Sequence, residues 1–584
     1  PRAASEIGEQ TMSEQKNLII AIGFSLVILL GFQFFYEFPK MEAEQARQAQ
    51  LEASKPAASD NKPPISGAPS GTQAPTAPAD PAVSARQALA ESPRVAVETD
   101  TVEGSISLRG ARIDDLVLKR YREDLDETSA PIRLLRPVGA PKSYYVEFGW
   151  VGGDGVTVPN SDTLWTSDDS RLTPDSPVTL RWDNGQGQRF EIAMAIDRDY
   201  MITIDQKVIN STDAAVTVYP YGFASRGGTP EMAGFFILHE GPLGVFNETL
   251  NEVDYDTLQD DGKVEAESKG GWIGITDKYW LTALVPTQAD TYKYRFSHRI
   301  ANQDDRYQVD YLGAAVAVPA GGEISTRNSL FAGAKEVEVL DKYADRDNID
   351  KFDLAIDFGW FYFLTKPFFY ILNYLNGLVG NFGIAIIVFT FLVKAVLFPL
   401  ANKSYRSMAK LRELTPKLQA LRERFGDDKQ KLNQEMMDIY KKEKVNPASG
   451  CLPIIVQIPI FFALYKVLFV SIEMRHAPFY GWINDLSEPD PTTLFNLFGL
   501  IPWSPPEFLM IGIWPLLMGF TMFIQQRLNP QPTDPVQAKV FMFLPLFFTF
   551  LLANFAAGLV IYWTVNNILS IIQQRLIMWR MGVK

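Results

Sequence analysis

Long apolar runs recur along this chain, and their lengths predict helices that cross a membrane. The first run extends from Leu18 to Tyr36, and five more follow at about residues 381–400, 451–470, 508–526, 538–553 and 557–577. A bilayer core about 30 Å thick is spanned by about 20 consecutive apolar residues in a helix. A cleaved signal peptide is the alternative for the first run, but its apolar core is too long and no small-residue cleavage site follows promptly. The pattern therefore predicts six transmembrane helices, of which the first is an uncleaved anchor over residues 18–36.

Between the first two apolar runs the hydrophobic pattern changes to an alternation with period two, which is typical of half-buried strands. An Asp-Asn-Gly group at residues 183–185 separates two alternating runs and predicts a β-hairpin. Many short strands separated by Gly and Asn turns predict a large all-β sandwich over residues 98–345. The clearest alternating segments are residues 178–182, 190–195, 201–208 and 307–311.

Two segments flank this predicted β-domain. Residues 37–97 are rich in Ala, Pro, Ser and Gln, so they bury too little apolar surface to fold and predict a disordered tether. Residues 352–380 predict an interfacial region. Asp353 to Thr365 begins as an amphipathic segment and then becomes aromatic, which suits a helix lying in the headgroup layer. A helix of the soluble domain is the alternative for that segment.

The charges of the loops orient the predicted spans. The loop at residues 402–447 carries twelve Lys and Arg, whereas residues 471–507 carry only Arg475 among five acidic residues. Because positively charged loops stay in the cytoplasm, the first of these loops is predicted to be cytoplasmic and the second external. Six spans then place both termini in the cytoplasm. The β-domain would lie outside, in the periplasm of a Gram-negative cell, and the protein in the inner membrane.

Both ends of the chain are short. Residues 1–17 precede the first span and residues 578–584 follow the last one, so both are predicted to be cytoplasmic. We expect Met12 to be the natural start, with residues 1–11 upstream of it.

The basic loop carries apolar residues at helical spacing, which predicts a two-helix antiparallel hairpin closed at Gly426. Pro416 is expected to kink or restart the first of these helices. The basic face has two interpretations that the sequence leaves open: a solvated surface that also contacts anionic lipid headgroups, or a docking site for a ribosome or an incoming chain. The apolar positions are Leu411, Leu414, Leu418, Leu421, Phe425, Leu432, Met436 and Ile439, and the basic candidates for docking are Arg412, Lys417, Arg422, Arg424, Lys429 and Lys431.

Polar residues interrupt the apolar spans, and a lysine is the costliest of them. Lys394 lies inside the second span, and a charged side chain costs roughly 2.5–3.5 kcal/mol at a helix centre. Thr390 lies one helical turn away on the same face. The other polar or amphipathic candidates within the spans are Gln457, Thr521, Gln525, Tyr562, Trp563, Asn566 or Asn567, Ser570 and Gln573 or Gln574.

These intramembrane polar residues have two explanations. They could hydrogen-bond between helices while Lys394 extends to the cytoplasmic interface six residues away. Alternatively, they line a water-filled cavity that opens to the cytoplasm and is closed toward the outside. Most of them fall in the cytoplasmic half of their spans, so we favour the cavity, which would remove most of the cost of burying Lys394.

The composition leaves little room for catalysis. The net charge of −13 argues against general nucleic-acid affinity, one cysteine (Cys451) excludes an intrachain disulfide, and three histidines leave little for a metal site. The chain has no GxxxxGK or GxSxG motif, and we interpret His239-Glu240 as structural. Asp114 and Asp115 are adjacent, so in a strand they would face opposite ways. We therefore expect no enzyme activity, no cofactor and no metal.

Four segments carry a family resemblance. They are GARIDDLVLKRY (110–121), GWIGITDKYWLTALVP (271–286), SMAKLRELTPKLQALRERFGDDKQKLNQEMMDIYKKEKVNPASGCLPIIVQIPIFFALY (407–465) and GLVIYWTVNNILSIIQQ (558–574). These segments resemble the YidC family of membrane protein insertases, the YidC/Oxa/Alb family, in its Gram-negative form. The resemblance covers nearly the whole chain from Met12, and the third segment is highly specific.

The resemblance implies an insertase that needs no ATP, with a five-helix core over residues 381–577, an N-terminal anchor and a periplasmic β-supersandwich. It also implies a hydrophilic groove whose basic residue contacts the translocated segment of the substrate. That position is Lys394 here, where Gram-negative members typically have arginine, so the planar fork for a bidentate carboxylate contact is lost. Substrate-contacting positions of the family map onto Thr390 and onto Tyr562-Trp563, a pair that is more often Tyr-Tyr.

The family further implies nascent membrane proteins as substrates. Its implied partners are the Sec translocon (SecYEG and SecDF), ribosomes, the signal recognition particle with its receptor, and membrane lipids. Two other functions remain as alternatives. One is a secondary transporter that binds an anionic solute at Lys394, which predicts internal repeats and a pathway reaching both sides. The other is an enzyme or sugar binder tethered to the membrane through its β-domain.

Overall fold

The fold is that of a computed structural model. It describes residues 85–126, 128–232, 238–301, 304–425, 428–443, 452–498, 501, 503, 505–506, 510–529 and 535–581. The predicted anchor at residues 18–36, the N-terminal segment and most of the predicted tether lie outside the described residues.

Between Arg94 and Ala334 the described chain forms two large, almost wholly antiparallel sheets. The strands are β1 (Arg94–Glu98), β2 (Val102–Ser107), β3 (Arg112–Arg122), β4 (Pro131–Leu135), β5 (Tyr144–Gly152), β6 (Thr166–Ser167), β7 (Arg171–Leu172), β8 (Val178–Asp183), β9 (Gln188–Ile196), β10 (Met201–Asn210), β11 (Val216–Gly227), β12 (Gly241–Phe246), β13 (Thr249–Glu252), β14 (Lys263–Lys269), β15 (Trp272–Thr276), β16 (Trp280–Val285), β17 (Thr291–Ala301), β18 (Asp304–Gly313), β19 (Val316–Val318) and β20 (Glu323–Ala334).

One sheet has eleven strands and the other has nine. The first runs β14-β17-β18-β11-β5-β3-β2-β1-β7, with β19 beside β11 and β4 beside β3, and the second runs β13-β12-β15-β16-β20-β10-β9-β8-β6. Burial alternates along β9 and β10 as the sequence pattern predicts, so one face of each strand joins the core. Trp150 of the first sheet packs edge-on against Phe190 of the second, with ring centroids 5.2 Å apart. The predicted β-sandwich is confirmed.

The predicted turn at residues 183–185 is present. Strand β8 pairs with β9 in antiparallel register, and Gly185 adopts the left-handed backbone that the turn requires (φ +71°). The predicted start of the domain, however, is wrong by four residues. Strand β1 begins at Arg94, inside the segment predicted to be a tether, and it pairs with β2 while Val95 and Val97 enter the core. Five residues beside a Pro- and Ala-rich stretch are too few to stand out without their partner strand.

Helices are concentrated after the β-domain. They are α1 (Ala85–Ala90), α2 (Tyr255–Asp261), α3 (Val337–Arg346), α4 (Tyr362–Val379), α5 (Phe382–Phe425), α6 (Lys429–Lys442), α7 (Leu452–Val470), α8 (Ile513–Leu528), α9 (Pro535–Leu551) and α10 (Ala557–Arg580), with 3₁₀ turns at Phe352–Ala355, Ile472–Met474, Leu494–Asn496 and Leu552–Asn554.

Helix α10 lies at the centre of the apolar helices and packs against α8 and α5. Within the described residues, Phe382–Leu414 is long and apolar enough to cross a membrane, and Ile455–Val470 and Ala538–Asn554 are shorter apolar helices. The helices coincide with the predicted spans after residue 380. Since α8 and α9 have 16 and 17 residues, the number of membrane crossings stays a prediction.

The structure corrects the helix predicted over residues 353–365, because the first part of that segment is not α-helical. Residues Phe352–Ala355 form only a 3₁₀ turn, Gly359 takes a left-handed conformation (φ +70°), and the α-helix starts at Tyr362. The two aspartates that suggested one amphipathic turn serve separate ion pairs instead. Asp353 accepts from Lys366 at 2.7 Å and Asp357 accepts from Lys466 at 2.7 Å. Exposed aromatic side chains do lie on α4, as expected for an interfacial helix.

The two helices of the predicted hairpin are present and pack together, while the predicted closure at Gly426 lies outside the described residues. The first helix does not restart at Pro416. Helix α5 is continuous for 44 residues and contains both Pro399 and Pro416. Leu414 and Leu418, on either side of Pro416, are buried against apolar residues of α6, which compensates for the missing backbone hydrogen bond. Asp428 caps α6 by accepting from the Lys431 amide at 3.0 Å.

Polar contacts join the β-domain to the helical region. Lys366 of α4 binds Asp341 of α3 at 2.9 Å, and the guanidinium of Arg475 donates to the backbone carbonyls of Arg122 and Glu123 at 2.7 and 3.0 Å. At the start of α3, the amide of Val337 donates to Oε1 of Glu473 at 3.0 Å. Helix α3 is amphipathic and buries Val337, Leu340 and Tyr343 on the domain side. The junction between the two parts is therefore built from specific contacts.

Candidate functional site

The lysine that the sequence singled out lies between α5 and α10. Its Nζ donates a hydrogen bond to Oγ of Ser570 at 2.7 Å, and that hydroxyl donates to the backbone carbonyl of Asn566 at 2.7 Å. Lys394 is half-buried, so its ammonium group has lost part of its hydration without gaining a charged partner in this contact. A cation held by a neutral hydroxyl remains available to an anionic ligand.

A cavity opens beside Lys394 where α5, α7, α8 and α10 meet. The volume that the centres of water molecules can occupy in this cavity is about 70 Å³. Holding one water molecule requires at least about 10–15 Å³ of such volume. The cavity therefore has room for several waters. None of the described residues that line it is acidic. They are Lys394, Leu397, Leu400, Ala401, Tyr405, Met408, Val456, Gln457, Gln525, Asn529 and Ser570.

Aromatic side chains fill the space between the helices at the end nearer the β-domain. Phe461 packs edge-on against Trp563 with ring centroids 4.6 Å apart, and it stacks on Tyr465. The ring of Tyr465 in turn packs against the rings of Phe469 and Phe555, with centroid distances of 5.7 and 5.4 Å. Along each helix these residues lie nearer the β-domain end than the cavity does. The polar cavity thus gives way to packed rings in that direction.

The structure brings four of the predicted groove residues together and leaves five elsewhere. Lys394, Gln457, Gln525 and Ser570 line the cavity. The remaining five are buried within or between helices, or face an aromatic cluster; they are Thr390, Thr521, Tyr562, Trp563 and Asn566.

Two buried threonines illustrate the difference. The hydroxyl of Thr390 donates to the backbone carbonyl of Ile386 at 2.7 Å, one turn back in its own helix. Thr521 donates to the carbonyl of Met518 at 2.8 Å and accepts from Nδ2 of Asn567 at 3.3 Å, which links α8 to α10. In this conformation Thr521 links two helices, as the alternative explanation of the polar residues predicts, whereas the hydroxyl of Thr390 is satisfied within its own helix.

The cavity also contains residues that the sequence reasoning missed. Tyr405 and Met408 lie on the stripe of α5 that starts at Lys394 and continues through Leu397 and Ala401 at helical spacing. That stripe could have been found by extending the helix beyond Leu400, where the predicted span ended. Asn529 follows α8 and could have been found only from the tertiary fold.

The basic hairpin residues are mostly exposed. Lys417 forms an ion pair with Glu443 at 3.1 Å, and Arg424 and Lys431 approach the ring of Phe425 at 5.2 and 5.4 Å. Arg412 and Arg422 are half-buried, and the side chain of Lys429 lies outside the described residues. Residues 402–447 carry twelve Lys and Arg against seven Asp and Glu, so the hairpin region is positively charged.

Candidate catalytic residues of the β-domain have structural partners. Nε2 of His239 contacts the Pro242 carbonyl at 3.0 Å, and Glu240 accepts from the Lys278 amide at 3.0 Å. Asp114 and Asp115 pair with two different arginines, consistent with opposite faces of β3. Among the residues that the structure describes, no group of three or more His, Cys, Asp or Glu is placed to hold a metal ion.

Comparisons with known proteins agree with this two-part architecture. Residues 94–371 match the family model of the YidC periplasmic domain, and residues 374–583 match the 60Kd inner membrane protein family. The chain is 48% identical over 595 residues to the membrane protein insertase YidC of Methylobacterium radiotolerans, covering 98% of this chain and 96% of the relative. It is 50% identical over 578 residues to the same protein of Granulibacter bethesdensis, covering 97% and 98%.

Solved structures with similarity to the chain include an active YidC insertase with its first transmembrane domain resolved. That structure has a TM-score of 0.33 and 16% identity, and covers 82% of this chain and 92% of its own. A galactose mutarotase-like protein from Lactobacillus casei has a TM-score of 0.28 and 12% identity, covering 41% and 99%.

A β-sandwich followed by apolar helices, with matches to a periplasmic domain and to an inner membrane protein, defines a class of inner-membrane proteins that carry a periplasmic domain. Within that class, the chain belongs to the YidC family of membrane protein insertases.

Proposed function

We propose that this protein inserts nascent membrane proteins into the bacterial inner membrane, and that the cavity beside Lys394 receives the polar flank of the incoming segment. The observation that supports this most is the contact of Lys394 Nζ with a neutral hydroxyl at 2.7 Å, at the wall of a cavity whose described lining residues include no carboxylate. An acidic flank would find there a cation whose hydrogen-bond partner among the described residues is a neutral hydroxyl. Gln457 and Gln525 add hydrogen-bonding groups that suit a polar chain.

The energetics need no nucleotide. When about 20 apolar residues of a client helix enter the membrane, each removes several tens of Å² of apolar surface from water, and each Å² contributes about 25 cal/mol. The total free energy gained exceeds the cost of moving a short polar flank. The barrier is the desolvation of that flank, several kcal/mol for a bare charge. A wet, cationic cavity lowers this barrier, while exposed apolar residues of α5 and α7, such as Val396 and Ile455, let the client helix pass into lipid.

The proposed topology follows from the loop charges. Both termini and the hairpin formed by the end of α5 and by α6 lie in the cytoplasm, and the β-domain lies in the periplasm. The cavity opens toward the cytoplasm, and the aromatic group around Phe461 and Trp563 closes its periplasmic side. The hairpin contacts ribosomes, the signal recognition particle receptor system or anionic lipids through its basic face. The Sec translocon is the proposed partner for larger clients.

Charge reversal at Lys394 tests this proposal. A client with one span and an acidic translocated segment is presented to proteoliposomes that contain the wild type, Lys394→Glu or Lys394→Arg, and insertion is scored by protease protection. We expect Lys394→Glu to reduce insertion at least about tenfold, equivalent to about 1.4 kcal/mol, because repulsion replaces attraction. Lys394→Arg should restore insertion.

Two controls separate the groove from general effects of charge. Lys403→Glu changes the same charge on an exposed position of the same helix and should leave insertion unchanged. A client with a neutral translocated segment should insert equally well with wild type and Lys394→Glu. Equal insertion of the acidic client by Lys394→Glu and wild type would contradict the proposed role of Lys394. Uptake of a small anion by the proteoliposomes, lost in Lys394→Glu, would instead favour a transporter.

A further inference from the structure

The segment between α7 and α8 displays bulky apolar side chains on its outside. Six of them have between 39% and 62% of their surface exposed, and they lie in two turns of the described chain. We call this set the apolar loop face; it consists of Tyr480, Trp482, Leu494, Phe495, Leu497 and Phe498. No charged residue occurs in the sequence from Pro491 to Pro506.

Around Asp485 and Asp490 this segment has the reverse of the polarity of a loop in water. Two of its carboxylates are buried: Asp485 and Asp490 are 8% and 3% exposed, and both are hydrogen-bonded, while Glu488 between them is exposed. Leu497 and Phe498, by contrast, are 50% and 45% exposed. In water such an arrangement would leave apolar surface uncovered and bury carboxylates, both at a cost in free energy. It becomes favourable where the surroundings are apolar.

The face is held in place by an internal network centred on Asp490. One carboxylate oxygen accepts from Nε1 of Trp482 and from the hydroxyl of Thr492, at 3.0 and 2.7 Å, and the other accepts from the amide of Trp514 at 2.9 Å. The amide of Leu494 donates to the carbonyl of Ile511 at 3.1 Å. The network ties both turns to the start of α8, so the exposure of the apolar side chains is built into the fold.

Backbone conformation supports the same conclusion. Leu497 and Phe498 both have positive φ angles, +48° and +58°, which are uncommon for bulky residues and cost of order 1–2 kcal/mol each. The amide of Phe498 is hydrogen-bonded to the carbonyl of Thr493 at 2.9 Å. The chain thus adopts a strained turn in which two large apolar side chains are exposed.

We propose that the apolar loop face inserts into the outer leaflet of the membrane and contacts its acyl chains. The proposal rests on the topology given under the proposed function, which places the ends of α7 and α8 at the periplasmic surface. Helices α7 and α8 also carry exposed apolar side chains, for example Phe462 and Leu517. Its lack of charge fits acyl chains better than headgroups, and its Trp and Tyr suit the border between the two.

Fluorescence quenching tests the proposal with the full-length protein. In a Cys451→Ser background, single cysteines at Leu497, Phe498 and, as a matched control, Ile300 of the β-domain are labelled with an NBD probe. Ile300 is also apolar and 72% exposed. The proteins are reconstituted in phosphatidylethanolamine–phosphatidylglycerol vesicles containing brominated phosphatidylcholine. We expect bromolipid to quench the probes at 497 and 498 more strongly than aqueous iodide does, and the reverse at 300.

Two results would overturn the proposal. Iodide quenching at 497 and 498 as strong as at 300 would place the face in water. Protection from both quenchers would mean that a protein surface, such as a second copy of the chain, covers it. A label at Leu494 provides an independent position if either variant fails to fold. Insertion activity of the same labelled proteins is measured separately, so loss of the proposed function and failure of this inference are distinguishable.

Discussion

We expect Glu473 to make the junction between the β-domain and the helices sensitive to pH. Its Oε1 accepts the Val337 amide at 3.0 Å, whereas its enclosed Oε2 has no hydrogen-bond partner among the residues described. Burial raises the pKa of Glu473 from 4.5 to about 7, and the carboxylates of Glu336 and Glu338 add to the increase. The joined state therefore favours the protonated carboxyl.

The sign and size of the effect follow from this pKa. The contribution of Glu473 to the junction is most favourable below about pH 4.5, its pKa when separated, and it is lost as the pH rises through about 7. The pKa of Glu473 differs by about 2.5 between the joined and the separated state, so the free energy that the junction can lose through its ionisation is at most roughly 3 kcal/mol. Between pH 5 and pH 8 the same two values predict that the opening equilibrium shifts by about 70-fold.

Hydrogen exchange at the Val337 amide measures this opening directly. After correction for the intrinsic exchange rate, protection in the wild type should fall by about 70-fold from pH 5 to pH 8. Glu473→Gln keeps an oxygen acceptor but cannot ionise, so its protection should not change with pH. Glu338→Gln removes an exposed carboxylate near the same helix end and should behave almost as wild type does. The reasoning is refuted if wild-type protection is independent of pH, or if Glu473→Gln retains the full dependence.

Two further predictions concern a buried ion pair in the β-domain and the packing of two helices. Arg112→Met leaves the buried Glu147 without its ion-pair partner at 3.2 Å and should destabilise the β-domain by about 3–5 kcal/mol. Burial raises the pKa of Glu147, so the loss should shrink at acidic pH; denaturant unfolding followed by tryptophan fluorescence at two pH values checks both statements, and a loss independent of pH would contradict them. Gly519→Val should destabilise the α8–α9 contact by roughly 1–3 kcal/mol, because a Cβ atom at Gly519 would lie 1.9 Å from Oγ1 of Thr549. Gly377→Val, where a Cβ atom meets open space, is the matched control, and equal thermal denaturation of the two variants in detergent would show that the reasoning fails.

Several elements could be predicted because they are local in the sequence. The β-hairpin at residues 183–185 depends on a period-two pattern and a turn glycine, and both act within a few residues. The hairpin of α5 and α6 depends on leucines at helical spacing and on an N-cap, Asp428, at the start of the second helix. These features do not require knowledge of distant neighbours.

Other elements depended on distant partners. Strand β1 is identified by its pairing with β2, and α5 continues through Pro416 because α6 covers the residues on either side of that proline. Asp353 and Asp357 suggested one helix turn, but each of them pairs with a lysine elsewhere in the chain. In these cases contacts formed after folding outweigh local preference.

For the candidate site, the sequence by itself determined which groups are available: a lysine and several amides and hydroxyls inside apolar runs, because a polar residue there is costly wherever the helix lies. Only the tertiary structure decided which of them meet. Ser570 faces Lys394 across the α5–α10 contact, while Thr390 turns back to its own helix. Helical spacing tells which residues share a face, but the direction of that face is set by how the helices cross and pack.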